Sequence, residues 1–399
     1  MNDVFARYSP NISAYLKANP DIDKMIRTDN GSYYNYPMIR DEKNRFSTVT
    51  MIRKDWLDEL GLSVPETFDE WHAVLTAFKE KKNATPLSFE TGFLLGNEAI
   101  FSHGFDTIAG LYLGFDGKIH WGQVDPGFRD YITLMNQWYR EGLLDPDIVT
   151  LNYDQVSAKV SGGTAGASIG WIGSRLGGWT GPGRASNPRF SLAGTPVPVR
   201  RKGEKAKFSA ISLPYSSVSV GAAITSSCKN VDAAAKVLDW AYSDAGRLYY
   251  SFGTEGVSYT MVGGVPTYTD LIMKNPNGWT LAQSIGAYTR ANYTAPSIPD
   301  GRYIEQYYSY DEQKEALGFV LPETSVRLVP PLTPTPEESR EYAGIINDIN
   351  TYANEMLTKF ILGTENLSGW DTYVRTINGM GLARALEIQN NALARYNKR

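Results

Sequence analysis

The stretch "STVTMIRKDWLDELGLSVPETFDEWHAVLTAFK", Ser47–Lys79, changes its hydrophobic rhythm midway. Ser47–Ile52 alternates weakly and is rich in β-branched residues, which predicts a strand. A polar, helix-forming run follows it and stops at Gly61. Beyond Pro65, Thr67 stands as an N-cap with Glu70 three residues later, and this pairing predicts a capping box. Phe68, Trp71, Leu75 and Phe78 then recur at helical spacing, and "NATP" from Asn83 ends the pattern. A strand feeding helices in this way points to an α/β protein.

The same alternation continues outward. "TPLSF" from Thr85 reads as a short strand that delivers the chain into an aromatic, polar loop, "ETGFLLGNEAIFSHGFD". "YLGFDGKIHWG" has the Asp-Gly turn between aromatic and β-branched residues that a hairpin requires. Asp125-Pro126 opens a helix with Phe128, Ile132, Met135 and Trp138 as its buried line, closing at Gly142. Residues 161–199 are rich in Gly, Ser, Pro and Arg and read as loop, broken by "ASIGWIG", a short strand with Trp171 at its end. "SVSVGAAITSS" resumes strand character, and "VDAAAKVLDWAYSDAGRLYYSFG" reads as one helix capped by Asn230. From about Pro336 the chain turns helical to its end.

Composition narrows the function. The 399 residues, 42% of them hydrophobic, suffice for two domains. A net charge of -4, with no basic block beyond Arg200-Arg201-Lys202, argues against a nucleic-acid partner. The chain has 25 Tyr and 9 Trp against 15 Phe, a bias toward rings that suit polar ligands with apolar faces, sugars above all. A lone Cys228 excludes an internal disulfide. No apolar run is long enough to span a membrane. The start "MNDVFARYSP" lacks an apolar core, so the chain is expected to carry no signal peptide.

Enzyme signatures are sparse. His72, His103 and His120 sit in no zinc-binding spacing, and "SGGTAGASIG" lacks the Lys-Ser/Thr of a phosphate loop. There is no nucleophile elbow, and "DPDIVTLNYDQ" lacks the Gly and closing Glu of a calcium loop. No metal or cofactor is therefore implied. In "FGTEGVSYTMVGG", Phe252–Gly264, Glu255 is open to two readings: one of a pair of glycosidic carboxylates, or a carboxylate capping the N–H groups of a glycine turn.

Four blocks carry a resemblance: "IRKDWLDELGLSVPETFDEWHAVLTAFK", "YREGLLDPD", "AAITSSCKNVDAAAKVLDWAYSDAGRLYYSFGTEGVSYT" and "FILGTENLSGWDTYVRTINGMGLARALEIQNNALARY". In this order, over nearly the whole chain, they resemble the extracellular solute-binding proteins of ABC importers, family 1, in the LipO-like lipoprotein branch that serves carbohydrate uptake.

The resemblance implies a two-lobe periplasmic-binding-protein-like fold of class II type, with ligand held between the lobes. Residues 1–50 plus 216–327 would form the first lobe, and 51–215 plus 328–399 the second with its terminal helices. The implied function is binding of a sugar or oligosaccharide, without catalysis, for delivery to the transmembrane permease subunits. The alternatives are a carbohydrate-active hydrolase or a scaffold that binds nothing. Family members are anchored outside the cell through a lipid-bearing Cys, which this chain is expected to lack. They also begin with further β-α-β units, so the first lobe is expected to be incomplete unless a preceding segment, a partner chain or a second copy completes it.

Trp171 matches the position where the family often places an aromatic sugar platform. Trp179, Glu90, Phe93, Asp106 and Tyr215 join it as expected cleft residues on loop position alone. The "FGTEGVSY" wording belongs, by the same resemblance, to a scaffold turn against which Tyr259 packs.

Overall fold

A computed structural model describes residues 1–40, 45, 47–208, 221–291, 296–320 and 325–399. In chain order the strands are β1 (Tyr36–Pro37), β2 (Thr48–Arg53), β3 (Thr85–Leu87), β4 (Leu111–Leu113), β5 (Ile119–Trp121), β6 (Ala165–Trp171), β7 (Leu192–Thr195), β8 (Gly221–Ala222), β9 (Tyr259–Val262) and β10 (Val265–Tyr268).

The strand predicted in the opening stretch is β2, and every one of its residues is buried. A strand without a solvent face needs neighbours on both edges and cover on both faces. It lies inside a sheet of order β3-β6-β2-β7, antiparallel to β6 and β7, while β3 runs parallel to β6. The threonine hydroxyls of this interior are satisfied sideways: Thr50 and Thr195 hydrogen-bond to each other across the β2–β7 pair. Arg53 ends the strand at 2% exposure. Its guanidinium is held by Asp55 at 2.8 and 2.6 Å and lies 4.3 Å from the Trp56 ring and 4.5 Å from Phe190.

Helix Phe68–Lys82 forms as the sequence predicts. The Glu70 N–H donates to the Thr67 hydroxyl at 3.2 Å and the Thr67 N–H to the Glu70 carboxylate at 3.1 Å. Its buried line is Phe68, Trp71, Val74, Leu75 and Phe78, and it stops where Asn83 turns left-handed at φ 48°. Helix Pro126–Arg140 likewise buries Phe128, Ile132, Met135 and Trp138. Asp125 precedes it without a side-chain cap. Its carboxylate instead accepts from Tyr112 at 2.7 Å and Thr107 at 3.0 Å, and burial lifts its pKa above the ordinary value.

Three sequence expectations need correction. The long helix predicted after Asn230 is two helices, Val231–Trp240 and Asp244–Phe252, because Ser243 accepts from the Gly246 N–H at 3.1 Å and starts a new N-terminus. The glycine-rich run expected to be loop contains helix Gly178–Ser186, which tolerates Pro182 in its interior. In the turn at Phe252–Gly264, Ser258 rather than Glu255 supplies the closing bonds. Its hydroxyl donates to the Phe252 carbonyl at 2.6 Å and accepts from the Thr254 N–H at 2.8 Å. Gly263 and Gly264, at φ 57° and 82°, then make the two-residue connection from β9 to β10. Tyr259 is buried against this turn at 5% exposure.

The main hydrophobic core surrounds the four-stranded sheet and extends to the C-terminal helices Pro336–Leu362 and Trp370–Gly379. Asn136 ties them together by donating to the Phe360 carbonyl at 2.8 Å. A smaller core holds Phe5, Ile12, Leu16, Tyr36, Ala235 and Tyr242. It is organised by Asp239, 2% exposed, whose carboxylate accepts from the Asn11 and Ile12 N–H groups at 3.1 and 2.9 Å and so caps helix Pro10–Ala18.

Candidate functional site

The parallel pairing of β3 and β6 aims both strands at one end of the sheet, with Leu87 opposite Ala167. Leaving β3, the chain stays alongside β6, since the Ser88 N–H donates to the Ala167 carbonyl at 3.0 Å. Glu90 is thereby carried toward the end of β6, where Trp171 stands. The antiparallel β2 puts its first residue, Thr48, beside Trp171. Ligands of α/β sheets gather outside such carboxyl ends of strands.

A polar cluster is built on that edge. The indole Nε1–H of Trp171 donates to the Glu98 carboxylate at 2.8 Å, and the Thr48 hydroxyl donates to the same oxygen at 3.4 Å. Arg175 pairs in fork geometry with Glu90, Nε to one oxygen at 2.6 Å and Nη2 to the other at 3.0 Å, and Nη1 donates to Ser174 at 3.0 Å. Its guanidinium carbon lies 4.2 Å from the ring centre of Tyr153 and 4.9 Å from that of Trp171. Phe93 meets the indole edge-on at 6.1 Å. Trp171 and Glu98 are half-buried, and Tyr153 is more open.

Local sequence explains how these groups meet. After β6 the chain makes a π-helical turn, Ile172–Gly177, which folds Arg175 back over the strand end. The stem of Arg175 lies where a Cβ on Gly170 would come within 2.3 Å of Cγ, so glycine is required at that position. Thr91 pins the Glu90 segment to the next turn, its N–H donating to the Leu151 carbonyl at 3.1 Å. Immediately beyond, the Asn152–Gln155 capping box starts helix Tyr153–Ser161 and sets Tyr153 beside Arg175.

Glu98 sits in a mixed field. Burial holds its carboxyl above the ordinary value, and the Glu90 charge adds to this, while the bonds from Trp171 and Thr48 and the Arg175 charge pull it back. Half-buried aromatic surface flanked by carboxylates and a guanidinium can pack against the C–H face of a polar ring and exchange hydrogen bonds with its hydroxyls. Among the described residues, no three or more His, Cys, Asp or Glu side chains gather as a metal site.

The structure brings three of the expected residues together: Trp171, Glu90 and Phe93. Phe93, at 4% exposure, backs the indole rather than lining open space. Trp179 is corrected: it is wholly buried, at 0%, because helix Gly178–Ser186 turns it into the main core, and it has no surface to offer a ligand. Asp106 occupies a left-handed turn at φ 60°, and its carboxylate pairs with Lys207 at 2.7 Å, apart from the partners of Trp171. Tyr215, and the opening "SVSV" of "SVSVGAAITSS", lie outside the described residues. Sequence reasoning missed Glu98, Arg175, Tyr153 and Thr48. Arg175 carried a faint signal, four residues past Trp171 in a glycine-rich run, whereas Glu98 carried none.

Comparison with known proteins places this geometry in context. Residues 7–248 match the family described as bacterial extracellular solute-binding protein. The fructooligosaccharide ABC transporter substrate-binding protein FusA of Streptococcus pneumoniae is 24% identical over 435 aligned positions, spanning 99% of this chain and 76% of FusA. The polygalacturonan/rhamnogalacturonan-binding protein YtcQ of Bacillus subtilis is 30% identical over 172 positions, 40% of this chain and 34% of YtcQ. In structure, the alginate-binding protein AlgQ2 superimposes with a TM-score of 0.82 at 25% identity, covering 98% of this chain and 81% of that one. The mixed α/β chain thus has the fold of the two-lobe solute-binding proteins. It belongs to the family of bacterial extracellular solute-binding proteins.

Proposed function

We propose that this chain binds an oligosaccharide between its lobes, on the outer side of the cell, and delivers it unchanged to the membrane subunits of an ABC importer. The lobes are taken as residues 1–50 plus 216–327 and 51–215 plus 328–399. The observation that carries this reading is the Trp171 platform: an indole fixed by Glu98 at 2.8 Å and braced by Arg175, at the carboxyl end of a central strand. An indole held in one plane presents a flat apolar face to a pyranose or furanose, and the carboxylates beside it accept from hydroxyls. The relatives named for fructooligosaccharide and alginate support a saccharide ligand.

Transport binding without turnover is also the simpler chemistry here. Glu90 is engaged by Arg175 through both oxygens, and Glu98 accepts from the indole. Neither carboxylate is left as an uncommitted acid or nucleophile facing a partner across a cleft. The test is a calorimetric titration of the chain with a panel of oligosaccharides, followed by product analysis of any ligand bound. Saturable binding with the sugar recovered intact is expected. Binding of no sugar overturns the reading, and cleavage of the bound sugar replaces it with a hydrolase.

A further inference from the structure

We infer that the Trp171 site selects uncharged oligosaccharides over those bearing uronate groups, and that Glu90 and Glu98 set this preference. The inference rests on the oligosaccharide reading above and adds the charge class of the ligand. Relatives do not decide the matter, since FusA is named for a fructooligosaccharide while YtcQ and AlgQ2 are named for polygalacturonan/rhamnogalacturonan and alginate. The side chains around the platform do.

The guanidinium beside Trp171 is already occupied. Arg175 spends Nε and Nη2 on the two oxygens of Glu90 and Nη1 on Ser174. Its faces are stacked by Tyr153 at 4.2 Å and Trp171 at 4.9 Å, and only 12% of its side chain is exposed. A sugar carboxylate seeking the same bidentate pairing would have to displace Glu90, which is itself only 18% exposed and held in place by the pair.

The second carboxylate adds to the barrier. Glu98 shares an oxygen between the Trp171 indole and the Thr48 hydroxyl. Its charged neighbours among the described residues are Arg175 and Glu90. Among the described residues, the platform thus carries two carboxylates and one committed guanidinium. A uronate stacked on the indole would bring a further negative charge into a half-buried place where like charges are poorly screened. A neutral ring brings hydroxyl donors to the same carboxylate oxygens, which accept and cannot donate when ionised.

The experiment titrates the full chain calorimetrically, near neutral pH and at low salt, with two panels. One holds kestose, xylotetraose, maltotetraose and mannotetraose; the other holds trimers of galacturonate, mannuronate and guluronate. The tightest ligand is expected to be neutral, with every uronate weaker by about tenfold or more and the gap narrowing in high salt. A uronate that binds best, or within about threefold of the best neutral sugar, overturns the inference while leaving the oligosaccharide reading intact. Silence from both panels removes both together. In Glu98→Gln the neutral-to-uronate affinity ratio should fall by about threefold or more, since one repelling charge is gone. Because the ratio is read within one variant, it does not depend on what fraction of the sample is folded. An unchanged ratio in both Glu98→Gln and Glu90→Gln would take the preference away from these residues.

Discussion

Replacing Trp171 by alanine removes the surface on which the proposed function depends. The indole is fixed by Glu98 and braced by Arg175 and Phe93, so its orientation costs the ligand nothing on binding. A fully buried aromatic covers about 150–250 Å², and a sugar ring lying on one face would remove roughly 60–80 Å² of that from water. At about 25 cal/mol per Å² this is worth roughly 1.5–2 kcal/mol. The dissociation constant should therefore rise by about ten- to thirtyfold. Calorimetry with the tightest oligosaccharide measures it, with circular dichroism to establish that the variant is folded. Trp171→Phe separates two contributions, because it keeps an aromatic face but loses the Nε1–H that reaches Glu98 at 2.8 Å. That variant should hold most of the affinity and lose stability by about 1–3 kcal/mol, as a half-buried carboxylate loses its better donor. A folded Trp171→Ala protein that binds within about twofold of the parent would refute the platform.

Other expectations concern pH, capping and close packing. His103 is 1% exposed, and burial pushes its pKa down to about 4. Its folded-state value lies below the unfolded one, so the stability it confers is complete above about pH 6.5 and drains away as pH falls toward 4, by up to roughly 3 kcal/mol. Urea denaturation across that window should show a shallower loss in His103→Gln, and parallel profiles would remove the histidine as the cause. Asp239→Ala should cost about 2–3 kcal/mol by orphaning the Asn11 and Ile12 N–H groups, with hydrogen exchange rising first in helix Pro10–Ala18. Unaltered exchange there would count against the cap. Gly170→Ala places a Cβ within 2.3 Å of the Arg175 stem, so it should dislodge the guanidinium and weaken sugar binding. Parental affinity in that variant would show that Arg175 does not brace the platform.

Much of the scaffold was legible because it depends on neighbours in sequence. The Thr67–Glu70 box, the stop at Asn83 and the buried line from Phe128 to Trp138 all depend on residues within a turn or two of each other. Errors arose where tertiary context overrode local preference, and once where a local cap went unread. Gly178–Ser186 looks like loop by composition, yet it folds as a helix that buries Trp179, and this cost one of the expected platforms. Ser243 outweighed a run of helix formers because a hydroxyl accepting from the Gly246 N–H satisfies a new helix start. At the site, Trp171 was legible as an aromatic ending a strand. Glu98 lies 73 residues away, in the segment leading into helix Ile100–His103, and becomes its partner only through the tertiary fold. No spacing rule can find such a contact.

The most direct test of the central claim is a crystal structure of the chain with its tightest oligosaccharide. The account predicts a sugar ring lying about 4 Å from the Trp171 indole, with at least one hydroxyl donating to Glu90 or Glu98 at about 2.7 Å. A sugar bound elsewhere, with the indole left uncovered, would contradict it.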